Sequence, residues 1–225
     1  TPGVREITQE TNFRVFNTPN NSTWISYEIS ARPLDILFQS GDRIGFAIEP
    51  QGDRPPDTFS ISDGADIAAG SYEWTRYAVE VQSAAKRCLN GRISVQSGPY
   101  YNGDLTTLEA GLSLRPSSYV TLEGTVERNT GTVTALVEQG SVETLVDSEI
   151  NEELYGLRVA LNFSPSLQLT SFTQYDTQSR ELGANSRLRW TFAPQGDLFL
   201  VYNHNLARGL DNRWRFLSSE LPVKL

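Results

Sequence analysis

From residue 154 to 203 apolar and polar residues alternate at a spacing of two. Tyr155, Leu157, Val159, Leu161 and Phe163 form one row, and Gly156, Arg158, Ala160 and Asn162 the other. Successive side chains of a strand point to opposite faces, so the spacing predicts a strand with one apolar and one wet face. Residues 164–166, Ser-Pro-Ser, break the row, because proline fixes φ and has no N–H to give to a ladder. Leu167, Leu169, Ser171, Thr173 and Tyr175 restart it. Leu188, Trp190 and Phe192 then alternate with Arg187, Arg189 and Thr191, residues 193–197 turn the chain, and 198–202 run back. This predicts two antiparallel hairpins with tight proline turns at one end.

The same pattern fills most of the chain. Ile25, Tyr27, Ile29 and Ala31 make one row, Ile44, Phe46 and Ile48 another, and Thr75, Tyr77, Val79 and Val81 a third. Leu108, Ala110, Leu112 and Leu114 are answered by Val120, Leu122, Gly124 and Val126. The one helix candidate, residues 63–69, is short. Long connections are expected at 17–23, 50–71, 98–104, 128–153, 176–186 and 204–216. Short ones are expected at 32–34, 86–91, 115–118, 164–166 and 193–197. Long and short alternate, so in an up-and-down meander all the short turns share one end. The expected fold is all-β, an antiparallel up-and-down meander of about 12 strands over 1–225 that forms a single β-barrel domain or the C-terminal segment of a larger barrel. Outer-membrane β-barrels have this asymmetry of turns and loops, whereas a Greek-key sandwich has no cause to show it.

Two further features sharpen the choice between lipid and a protein core for the apolar rows. Many predicted strands reach about ten residues, against about five to six in soluble sheets. Aromatic residues stand near strand ends, at Trp24, Tyr72, Trp74, Tyr119, Tyr155, Phe163, Tyr175, Trp190, Phe192 and Tyr202, as the interfacial girdles of a membrane barrel would require. No apolar run approaches the ~18 residues of a membrane helix. A barrel strand needs only about 9–11 residues of alternating pattern.

The net charge of −8 argues against nucleic acid as a partner. The chain has one cysteine, Cys88, and no methionine. No intrachain disulfide is possible, and a processed product or fragment is expected.

The chemistry-bearing residues form no recognisable catalytic device. His204 is the single histidine and has no base-and-acid motif around it. The carboxylates Glu109, Glu123 and Glu127 share the polar phase of one hairpin. Arg158, Arg187 and Arg189 occupy polar phases further on. All six are expected to line a wet lumen, where facing acid and base rows would pair. Hairpin register places Arg158 opposite Phe172 and Arg187 opposite Asn203. The acidic stretches at 63–66 and 147–149 lack the oxygen count of a calcium loop. No catalytic residue, metal ligand set or cofactor motif is predicted.

The second half resembles a known family. The residues concerned are Phe172-Thr173-Gln174-Tyr175-Asp176, Asn185-Ser186-Arg187-Leu188-Arg189-Trp190, and Pro194-Gln195-Gly196-Asp197-Leu198-Phe199-Leu200-Val201-Tyr202-Asn203. Gly98-Pro99-Tyr100-Tyr101-Asn102-Gly103 and Gly70-Ser71-Tyr72-Glu73-Trp74 extend the likeness to about residues 59–225. They resemble the domain of unknown function that follows a family-9-like carbohydrate-binding domain in large bacterial outer-membrane proteins. The resemblance implies a barrel in the bacterial outer membrane with lipid as its partner. It also implies glycans as possible partners through an N-terminal domain absent from this chain. The family's aromatic C-terminal strand end lies beyond Leu225, and its catalytic residues are not established. The expected function is therefore non-enzymatic: passage, anchoring or display linked to glycan handling. A soluble extracellular β-sandwich binding through its long loops is the alternative, with a cell-surface hydrolase third.

Overall fold

The computed structural model describes residues 3–19, 23–62, 65–139 and 142–224. The strands are β1 (Val4–Asn17), β2 (Trp24–Phe38), β3 (Arg43–Asp53), β4 (Phe59–Ser62), β5 (Ala65–Ile67), β6 (Tyr72–Gln82), β7 (Leu89–Tyr100) and β8 (Gly103–Ser117). They continue as β9 (Val120–Gln139), β10 (Val142–Ser164), β11 (Leu167–Asp176), β12 (Glu181–Ala193), β13 (Gly196–Arg208), β14 (Trp214–Glu220) and β15 (Val223–Lys224). The predicted meander is present. One sheet runs β1-β2-β3-β6-β7-β8-β9-β10-β11-β12-β13-β14, with β15 on the side of β13, and β4 and β5 form a separate hairpin. The ladder path begins at β1 and ends at β14.

Where the structure departs from expectation, the ladder runs on past the point where apolar alternation fades. Residues 32–34 are not a turn. Pro33 lies within β2 at an irregularity between Ala31 and Leu34, which accommodates a residue that cannot donate to the ladder. The chain reverses instead at residues 39–42, where Gly41 takes φ 91. Asn90-Gly91 is also strand, because Gly91 admits the Gly111 carbonyl, which would lie 3.1 Å from a Cβ there. The loop expected at 98–104 shrinks to Tyr101 and Asn102, and the one at 176–186 to residues 177–180. Most of 128–153 extends β9 and β10 to 20 and 23 residues. Helix 63–69 is not formed at Ala65–Ile67, which is strand β5; Asp63 and Gly64 lie outside the described residues.

The contacts fall into two compact units. The first is Thr1–Ala84, Ile93–Glu109 and Arg128–Asn151; the second is Ala85–Arg92, Ala110–Glu127 and Glu152–Leu225. The first unit has a small core on the polar phase of its strands. Ala65 and Ile67 of the β4–β5 hairpin pack on Leu105, Val133 and Ile150, flanked by Phe59, Ile61, Tyr72, Tyr100 and Tyr101. The long connection between β3 and β6 thus folds over the face expected to be wet. The apolar phase of the same unit is uncovered: Tyr77, Val79, Val81, Ile93 and Val95 are all exposed.

In the second unit no described residue is buried. Leu112, Leu157, Phe163, Trp190 and Phe192 are each about half exposed or more, Leu112 and Phe163 reaching 57%. Of the expected girdle residues, Tyr119, Tyr155, Phe163, Trp190, Phe192 and Tyr202 are exposed. Tyr72 and Trp74 are not girdle positions. They turn to the polar phase and pack against Tyr101.

Candidate polar-face site

The six residues expected on a lumen divide between the units. Glu109, on β8, belongs to the first unit and is exposed; Glu123, Glu127, Arg158, Arg187 and Arg189 belong to the second. In the second unit, register fixes the face. Arg158 stands opposite Phe172, Phe172 opposite Asn185, Asn185 opposite Asn203, and Asn203 opposite Glu220. The next row is Gly156, Gln174, Gly183, Asn205 and Ser218, and beyond it lie Asp176 and Glu181. Arg158 therefore meets Phe172 as expected. Arg187 stands opposite Val201 rather than Asn203. The hairpin closes on Pro194 and Gln195, with Gln195 at φ 69 and a register shift between Thr191 and Ala193. A slip of two residues preserves the face, since side chains alternate with period two.

The arginines are held by carboxylates and ring faces. Arg158 Nε lies 3.7 Å from Glu123 Oε2, and its guanidinium 5.5 Å from the Phe172 centroid. Arg187 sits 4.4 Å from the Phe199 centroid. Arg189 pairs with Asp197 at 3.1 Å, and Asp197 also accepts from the Thr191 hydroxyl. These groups are well exposed, and ion pairs of that kind contribute about 0–1 kcal/mol. They shape the electrostatic field of the face more than its stability. An Arg187→Ala, Arg189→Ala double variant should unfold within about 1 kcal/mol of the wild type in a urea titration. A larger loss would mean that the pairs carry the fold.

Sequence reasoning missed the polar groups between the charges. Gln174, Asn185, Asn203 and Asn205 form an amide patch, in which Asn185 Nδ2 donates to Asn203 Oδ1 at 2.5 Å and Asn205 Nδ2 to Ser218 Oγ at 3.0 Å. Gly183 forms part of its floor: a Cβ there would lie 3.2 Å from Asn205 Oδ1. The result is a shallow depression of about 460 Å³, edged by Phe172, Asp176, Glu181 and Glu220. Its donors and acceptors suit hydrated polar solutes. The signal was present as Asn in the polar phase at 185, 203 and 205, but uncharged polar residues on a strand's wet face carry no chemistry by themselves.

The remaining candidates have structural surroundings. His204 lies between the rings of Tyr202, at 5.8 Å, and Phe216, at 5.7 Å. Asp147 accepts from Thr134 within paired strands. Cys88 is a free, exposed thiol. Among the described residues no group of three or more His, Cys, Asp or Glu side chains is placed to hold a metal ion. No protein-family model matches this chain, and neither a curated protein nor a solved structure was found to be similar to it.

Proposed function

We propose that this chain is a membrane-embedded β-barrel, or a segment of one, from a bacterial outer membrane, serving to anchor or display rather than to catalyse. One observation carries the reading: the apolar rows of both units are the uncovered rows. A soluble sandwich places those rows against a second sheet. Among the described residues the one other sheet is the short β4–β5 hairpin, and it packs on the polar phase instead. A half-exposed Leu or Phe in water forgoes about 1 kcal/mol, roughly half the ~1.5–3 kcal/mol of full burial. Rows of them along strand after strand are an expense that lipid removes. Anchoring is favoured over free passage because the hairpin covers the polar phase of the first unit around Leu105, Val133 and Ile150. The link to glycan handling rests on the family resemblance alone.

Spin labels test the environment. In a Cys88→Ser background, labels at Leu112 and Trp190 in vesicles should be accessible to oxygen and protected from a water-soluble nickel chelate, and a label at Gln174 the reverse. Equal access of the chelate to all three sites would sink the lipid reading. Sidedness has a native probe in Cys88, which lies between β6 and β7 on the side of the short turns. An impermeant maleimide should label it only after the outer membrane is opened. A cysteine placed at Ser179 in the Cys88→Ser chain should react on intact cells. Labelling of Cys88 on intact cells contradicts the orientation. Steady single-channel conductance that shifts toward cations in the Arg187, Arg189 double variant would establish passage and overturn anchoring.

A further inference from the structure

The polar phase of β1, β2, β3 and β6 in the first unit carries two cross-strand rows. Phe16 stands opposite Ser26, Ser26 opposite Asp53, and Asp53 opposite Tyr72. In the second row Arg14, Glu28, Gln51 and Trp74 face one another in turn. The turn between β7 and β8 leans over them. Tyr101 packs 4.6 Å from the Trp74 ring, 4.8 Å from Tyr100 and 5.2 Å from Tyr72, and its hydroxyl donates to Asp53 at 2.8 Å. Tyr101 has φ 51, a left-handed conformation that a bulky side chain rarely adopts. The two-residue hairpin turn between β7 and β8 calls for it, and Arg180, Gln195 and Asn212 adopt it in other turns of the sheet. Burial and the Asp53 carboxylate push the Tyr101 phenol far up, so it stays a neutral hydroxyl.

Beside this cluster lies a pocket of about 320 Å³, at the small end of ligand-sized cavities. Phe16, Trp74, Tyr100 and Tyr101 give it aromatic walls, and Ser26, Glu28, Gln51 and Asp53 give it a polar floor. The carboxylates are already partly satisfied: Glu28 holds Arg14 at 3.3 Å, and Asp53 takes the Tyr101 hydroxyl and the Arg54 backbone N–H. The rings pack edge to face on one another, Trp74 with Tyr100 at 76° and Tyr100 with Tyr101 at 81°, rather than standing around a cavity as a cage for a cation does. Aromatic walls above a floor of amide, hydroxyl and tempered carboxylate suit a neutral polyol. Its C–H face lies on a ring, and its hydroxyls both donate and accept.

We propose that this pocket binds a saccharide unit, with the exposed ring of Phe16 as the stacking face, backed by the Trp74–Tyr100–Tyr101 cluster, and Glu28, Gln51 and Asp53 as the hydroxyl partners. The site is contained in one unit and does not depend on whether the apolar rows meet lipid. The test is calorimetric titration of the full chain, in a zwitterionic detergent without a sugar headgroup or, where the chain stays monomeric without detergent, in buffer. The probes are trisaccharides of glucose, galactose, mannose and N-acetylglucosamine, with tetramethylammonium chloride as the cationic alternative. At least one saccharide should bind saturably. Gln51→Ala and Phe16→Ala should each weaken it about tenfold, the equivalent of ~1.4 kcal/mol, and the isosteric Glu28→Gln should weaken it too should either truncation misfold. Leu210→Ala, at an exposed turn of the other unit, should bind as the wild type does. Absence of binding by every saccharide, preference for tetramethylammonium, or wild-type affinity in the floor variants overturns the proposal.

Discussion

An arginine at Leu112 will destabilise the folded chain by about 2–4 kcal/mol in a bilayer if the apolar rows face lipid near the midplane. The same substitution will change stability by less than about 0.5 kcal/mol if they face water, as exposed positions usually do. The prediction separates the two environments because Leu112 is 57% exposed. It has no packed core to lose, so a large cost must come from the solvent it faces. Leu112 continues the apolar row of β8 with Ala110 and Leu114, and its side chain leans over Gly91, where a Cβ would stand 3.4 Å from Leu112 Cδ1. A guanidinium in that row must either thin the bilayer or reach for the interface. The folding equilibrium should shift about 30- to 1,000-fold, since each ~1.4 kcal/mol is tenfold. Denaturant titration of the chain refolded in short-chain lipid vesicles measures it. Leu210→Arg is the control, at a turn residue 94% exposed between β13 and β14. If Leu112→Arg unfolds with the control and the wild type, the apolar rows do not meet lipid.

Most of the meander was legible because period-two alternation survives wherever the two faces of a strand meet different solvents. That condition holds along Tyr155 to Phe163 and Leu108 to Leu114, where the alternation marks the strands. It fails at both ends of a ladder. Around Gly131 and Thr132 in β9, or Asn203 to Arg208 in β13, polar residues occupy both phases. Backbone hydrogen bonding then continues without a side-chain signature. Prolines misled for a related reason: Pro33 interrupts a ladder by one irregular pair, while Pro165 and Pro194 do reverse the chain. The charged part of the candidate face was legible from phase alone, which is why Arg158, Arg187 and Arg189 fall on one side. The inward-folding hairpin was not. Ala65 and Ile67 sit in a Pro-, Gly- and Asp-rich connection, and nothing local says that Leu105, Val133 and Ile150, lying in the wet phase of distant strands, will receive them. Tyr72, Trp74 and Tyr101 were hidden for the same reason. An aromatic near a strand end reads alike whether it turns outward to an interface or inward to a cluster.

Replacing Gly131 with valine will cost about 3 kcal/mol or more, at or beyond the upper end of ordinary overpacking. Gly103 on β8 and Gly131 on β9 form a reciprocal close approach. A Cβ on Gly131 would overlap the Asp104 carbonyl oxygen and stand 2.9 Å from Leu105 Cα; one on Gly103 would overlap the Thr132 carbonyl oxygen and stand 2.8 Å from Val133 Cα. The obstructing atoms are backbone, so no side chain can swing aside. Neither glycine takes a positive φ, and space alone excludes a side chain. This approach sets Leu105, 8% exposed, and Val133, 1% exposed, against Ala65 and Ile67. Forcing the strands apart therefore loosens the β4–β5 hairpin as well as the ladder. Gly124→Val on the same strand is the matched comparison, because nothing lies within 4 Å of a Cβ there. Its effect should be small, as valine suits a pleated strand. Gly131→Val should lower the unfolding midpoint sharply and expose residues 54–71 to limited proteolysis before the rest of the chain. Equal midpoints for the two variants, or an unchanged cleavage pattern, would show that the glycine pair does not hold the hairpin in place.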